Sequence, residues 1–135
     1  MTPSSKPLSA FLAMTLLAYP IATSPAWAAV EDYEFQLVKT EVQVGDAVVV
    51  SVLLIDKRNG EAVPDAVIFQ QRVDMAPDGM ETMAGSIVPL PSTEPGVYSF
   101  ETGLIMEGGW RLSLAAKIQG EEGTLESQLE IKVLP

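Results

Sequence analysis

From Tyr33 to Val133 apolar and polar residues alternate with a period of two, and turn residues separate the runs. Successive side chains of an extended strand point to opposite faces, so this pattern commits the chain to half-buried strands. Tyr33 to Lys39 reads as a first strand and Asp46 to Asp56 as a second. In the second, Val48, Val50, Val52 and Leu54 share one face, and the other (Ala47, Val49, Ser51, Leu53, Ile55) is also largely apolar, which predicts an interior position. Asn59-Gly60 marks a tight turn, because this pair adopts positive φ at little cost. Ala66 to Val73 follows as a strand, then Gly85 to Leu90, which Pro89 and Pro91 demote to a sheet edge. Val97 to Thr102 comes next, with Tyr98 and Phe100 on one side. The clearest strand starts at Gly108-Gly109 and turns Trp110, Leu112, Leu114, Ala116 and Ile118 inward, with Arg111, Ser113, Lys117 and Gln119 outward. A last strand runs from Leu125 to Val133.

About seven short strands with frequent turn signals and no helical periodicity predict an all-β fold. The expected architecture is an immunoglobulin-like antiparallel β-sandwich with Trp110 and Tyr98 between its sheets.

The strands follow an N-terminal segment of another kind. Lys6 precedes the apolar run Leu8 to Ala18, Pro20 ends it, and Ala26-Trp27-Ala28 comes after. A positive start, a modest apolar core and an A-x-A site make a secretory signal peptide. A membrane anchor needs about 20 apolar residues, more than this run supplies. Cleavage after Ala28 is expected, dividing the chain into a leader (1–28) and one domain (29–135). No cysteine follows the apolar run to carry a lipid, and no second apolar span occurs. The expected location is a bacterial periplasm, with no stable membrane insertion after cleavage.

Composition narrows the chemistry. The chain has 18 acidic and 8 basic residues, a formal charge of −10. Loss of Lys6 with the leader makes it one unit more negative. That balance argues against nucleic acid or an anionic membrane as partner. With neither histidine nor cysteine, a Ser-His-Asp or Cys-His arrangement cannot form. The acidic residues fall mainly in turns or at outward strand positions, where solvated charge accounts for them. No enzyme is expected.

One stretch stands apart from the alternation. Asp74 to Met83 holds Met75, Met80 and Met83 beside Asp74, Asp78, Glu81, Pro77 and Gly79. It reads as a loop. Thioethers in a polar loop are soft, neutral ligands of the kind Cu(I) accepts. Met106, opening the Met-Glu-Gly-Gly turn, is a candidate fourth ligand if that turn lies at the same end of the sandwich. Asp74, Asp78 and Glu81 supply negative potential, and one of them could complete the shell. A structural alternative stands beside this reading: methionine is a common core filler, so these side chains could cap the open end of the sandwich over Trp110 or Tyr98. The carboxylates lack the alternate-position spacing of a calcium loop.

Several segments together resemble the YtkA-like/FixH-like domain family. They are Val63-Pro64-Asp65-Ala66, Pro95-Gly96-Val97-Tyr98-Ser99-Phe100 and Met106-Glu107-Gly108-Gly109-Trp110-Arg111-Leu112. Arg72 to Met80 and Ala115 to Glu121 look like the branch found with heavy-metal efflux systems of the resistance-nodulation-division type. The resemblance covers roughly residues 44–133. It implies a small exported β-sandwich, an accessory to metal transport or metalloenzyme assembly rather than an enzyme. The implied partner is a periplasmic adaptor of such an efflux system. Relatives that carry histidine near the loop differ from this chain, which leaves the thioethers as its soft ligands. The expected function is copper handling, Cu(I) being bound by Met75, Met80, Met83 and Met106 and passed to an efflux system. A periplasmic interaction module that docks without metal is the other reading.

Overall fold

The computed structural model describes residues 29–135, so the expected leader lies outside the described residues. Among the described residues ten strands form: β1 (Tyr33–Leu37), β2 (Glu41–Gln43), β3 (Gly45–Asp56), β4 (Glu61–Ala62), β5 (Ala66–Met75), β6 (Met80–Gly85), β7 (Ile87–Leu90), β8 (Val97–Leu104), β9 (Gly108–Ile118) and β10 (Leu125–Leu134). One sheet has the order β1-β3-β8-β7, with β4 also paired to β3; the other has the order β2-β10-β9-β5-β6. Every pairing is antiparallel except that of β2 with β10. The architecture is the expected immunoglobulin-like sandwich.

Period-two patterning built the core. Val50, Val52 and Leu54 of β3, Phe100 and Leu104 of β8, and Trp110, Leu112 and Leu114 of β9 are buried, with Ile131 and Val133 of β10. Phe35 of β1 meets Tyr98 edge to face at 6.3 Å between ring centroids. The second expected strand is interior, between β1 and β8. Pro89 lies on β7, at the edge of its sheet, where a missing N–H breaks no ladder. Trp110 is fully buried, whereas Tyr98 is only half-buried, at the margin of the core.

Three features depart from the expected elements. The short β2 and the two-residue β4, which falls where a turn was expected, were not foreseen and raise the strand number above the expected seven. The segment expected as one strand from Gly85 to Leu90 is divided: Gly85 closes β6 in one sheet, and β7 begins at Ile87 in the other. Gly85 passes so close to the carbonyl of Gly103 that no Cβ would fit. That close approach is the reason for glycine at the crossing. The third departure concerns the methionines.

Candidate metal site at the methionine end

The stretch read as a loop is a hairpin. β5 runs two residues beyond the expected end at Val73, to Met75. A 3-10 turn follows at Ala76–Asp78, with Pro77 in its first turn and Gly79 closing it at φ 77°. The chain returns as β6, whose pairing with β5 is bulged between Asp74 and Met75. The Asp, Pro and Gly that suggested a loop belong to the three-residue turn and its cap, and the methionines flank them on strands.

Asp74 holds this hairpin end to the sheet. Its side chain points to the outer face yet is fully buried. One carboxylate oxygen, Oδ1, accepts the Ala76 N–H at 3.0 Å. The other, Oδ2, accepts from Arg72 Nε at 2.9 Å and from Arg111 Nη2 at 3.1 Å. Burial alone would raise its pKa; the Ala76 N–H and the guanidiniums of Arg111 and Arg72 outweigh it and hold the carboxyl below the usual range. Arg72 also donates through Nη2 to the carbonyl of Glu81 at 2.9 Å, so it spans both strands of the hairpin. Asp74 is therefore committed to two arginines, and this geometry leaves it no role as a free cation ligand.

The turn between β8 and β9 lies beside the hairpin. Asp78 Oδ2 accepts the Gly109 N–H at 3.1 Å. The Met106 carbonyl accepts from Trp110 Nε1 at 2.9 Å, which fixes that turn over the buried indole. Gly108 has φ 134°, and a Cβ there would meet both Asp78 and the Met75 methyl carbon. Gly109 is likewise crowded by Pro77. The glycine pair thus lets the 3-10 turn lie flat on the start of β9.

This arrangement brings the four sequence-nominated methionines to one end of the sandwich, on two segments, with unequal exposure. Met75 is completely buried and Met83 is packed against the core. Met80 and Met106 are exposed, at 37% and 40%. Among the described residues no group of three or more His, Cys, Asp or Glu side chains converges as a metal site. Sequence reading missed Arg72 and Arg111 as partners of Asp74. Arg72 had a usable signal, since residues two apart on a strand share a face; Arg111 had none, because its position opposite Asp74 is set by the register of β5 on β9.

A sequence model of the family described as YtkA-like matches residues 28–115. The chain belongs to the YtkA-like family. No curated protein matches it. Among solved structures it is similar to the ZirS C-terminal domain, at 13% identity and a TM-score of 0.47 over 98% of this chain and 87% of that one. It is also similar to the Lin-41 filamin domain, at 18% identity and a TM-score of 0.44 over 76% of this chain and 92% of that one.

Proposed function

We propose that this YtkA-like chain is a non-catalytic accessory protein of heavy-metal handling, with copper as its metal. It acts in the periplasm after loss of the leader, binds Cu(I) at the methionine end, and passes it to the adaptor of a resistance-nodulation-division efflux system. The observation that carries the metal reading is the Asp78–Gly109 hydrogen bond, which sets the Met106 turn beside the hairpin bearing Met75, Met80 and Met83. Cu(I) is matched by neutral thioether sulfur, and a site built from methionine escapes the thiol oxidation that an exported cysteine would face. Met80 and Met106 are the accessible pair and make first contact. Met75 and Met83 are covered, and on this reading a shift of the turn brings their sulfur to the ion.

A second reading rests on the burial of Met75 and the packing of Met83. Here those two side chains are core filler, and Met80 and Met106 form an adaptable apolar contact for a protein partner without metal.

Anaerobic Cu(I) titration against a chromogenic chelator separates the readings. Stoichiometric binding that disappears in Met80→Leu/Met106→Leu supports copper handling, because leucine keeps the apolar volume and removes sulfur. A native protein that takes no Cu(I) from the chelator overturns that reading and leaves the docking surface.

A further inference from the structure

A concavity of about 750 Å³ lies on the outer face of the second sheet, and none of the four methionines lines it. Its volume falls within the ~300–1,000 Å³ of small-molecule sites. Strand register creates it. Where β9 crosses the middle of this face, its outward residues are the small Ser113 and Ala115. On one side β5 sets Gln70 against Ala115 and Arg72 against Ser113. On the other, β10 sets Glu126 and Gln128 against the same two positions. A floor of small side chains between walls of long ones is a trench running along β9. The ladder of β5 on β9 is irregular between Ile68 and Gln70. Phe69, at that irregularity, lines the trench with about half its surface in water (49%).

The lining selects a ligand class. Arg72 is already engaged by Asp74 and by the Glu81 carbonyl, so it is not a free anion receptor. The remaining formal charge of the walls is the carboxylate of Glu126, which repels anions. Gln70 and Gln128 each offer a carbonyl acceptor and two N–H donors, and Ser113 adds a hydroxyl. Together these suit a neutral molecule carrying many hydroxyl or amide groups. A half-exposed phenyl ring presents a negative π-face to the C–H-bearing face of a sugar ring. We propose that the trench binds a neutral glycan. Phe69 is the stacking platform, and Gln70, Gln128 and Glu126 pair with hydroxyl or acetamide groups. This site is separate from the methionine end and does not rest on the copper reading.

The test is an NMR titration of the isotope-labelled protein with three uncharged probes: triacetylchitotriose, cellotriose and maltotriose. At least one is expected to give saturable shifts on β5, β9 and β10 around Gln70, Ser113 and Gln128. Phe69→Ala should weaken that binding about tenfold, equivalent to about 1.4 kcal/mol, and Gln128→Ala by several-fold. Both side chains lie at exposed positions, and an unchanged spectrum elsewhere will show that the fold is kept. Absence of saturable shifts with all three sugars would overturn the proposal. So would shifts that Phe69→Ala leaves unaltered, or a trench that responds only to an extended peptide, which would assign this face to a protein partner.

Discussion

The hydroxyl of Tyr98 donates to the carbonyl of Val63 at 2.7 Å and, on its other side, accepts the N–H of Ala66 at 3.1 Å. Val63 to Ala66 is where the chain leaves one sheet and enters the other. Two segments that carry the family resemblance, Val63-Pro64-Asp65-Ala66 and Pro95 to Phe100, are thus bound to each other. Two further segments, Arg72 to Met80 and Met106 to Leu112, behave alike, since Asp78 meets Gly109 at the opposite end. Much of what makes the sequence recognisable closes the two ends of the sandwich.

Tyr98→Phe removes both bonds and strands the Val63 carbonyl and the Ala66 N–H. The site is half-buried, so water will recover part of the loss, and we expect a destabilisation of about 1–2 kcal/mol. Guanidinium unfolding of the variant against the native protein measures it. An unchanged midpoint would mean that this crossing stands without the tyrosine.

Trp110→Ala should cost about 3–5 kcal/mol, as aromatic deletions from cores do. The indole is fully buried and anchors the Met106 carbonyl through its N–H. The same unfolding experiment reads this variant. A loss below about 1 kcal/mol would show that the two sheets do not depend on this side chain.

Asp74→Asn tests the arginine bridge. Removing one partner of a fully buried ion pair costs about 3–5 kcal/mol. Arg72 and Arg111 keep contact with water, so we expect about 2–3 kcal/mol here. The pH dependence has a defined sign. The folded pKa of Asp74 lies below its unfolded value, so its contribution is full above the ordinary carboxylate range and is lost as pH falls through the folded value. Asp56 adds in the same direction, held down first by the Arg58 side chain and then by the Arg58 backbone N–H. Stability should therefore be flat near neutrality and fall below about pH 4. Asp74→Asn should flatten that fall, which acid unfolding curves of the two proteins will resolve.

Tyr33 gives the alkaline counterpart. Burial, and then the hydrogen bond its hydroxyl donates to Glu121 at 2.7 Å, push its pKa up to about 12. The unfolded chain gives up this proton at lower pH than the folded one. The associated stability is complete below about pH 10 and drains as pH rises towards the folded value. Burial raises Tyr98 as well, so phenolate absorbance should show more than one late-titrating tyrosine, and Tyr33→Phe should remove the latest of them. A native titration centred near the ordinary tyrosine value would contradict the contact with Glu121.

The sandwich could be read from sequence because burial imposes a strict period of two. Val50, Val52 and Leu54, and again Trp110, Leu112 and Leu114, alternate as one-sided burial demands. Short or bulged elements escape that test. Glu41–Gln43 is a three-residue strand, too brief for an alternation to register. β6 was hidden because Pro77, Asp78 and Gly79 signal a turn strongly, and only its second methionine, Met83, packs inward. The candidate site was legible as a set of residues but not as a surface. Sequence nominated Met75 and Met80 equally. Burial separates them, and the close approach of Gly108 to the Met75 methyl carbon, which leaves no room for a Cβ, joins residues more than thirty positions apart. The commitment of Asp74 to Arg111 was invisible for the same reason: cross-strand partners are fixed by register, and register is a property of the whole sheet.

The pairing of β2 with β10 bears on when the protein can finish folding. The Lys132 N–H donates to the Thr40 carbonyl and the Val44 N–H to the Leu134 carbonyl, both at 2.8 Å. A strand from the beginning of the domain thus forms its ladder only once β10 is in place. Closing a loop of about ninety residues between Glu41 and Lys132 makes this seam one of the most non-local contacts of the fold, and such contacts are the slowest to reward their loop-closure entropy.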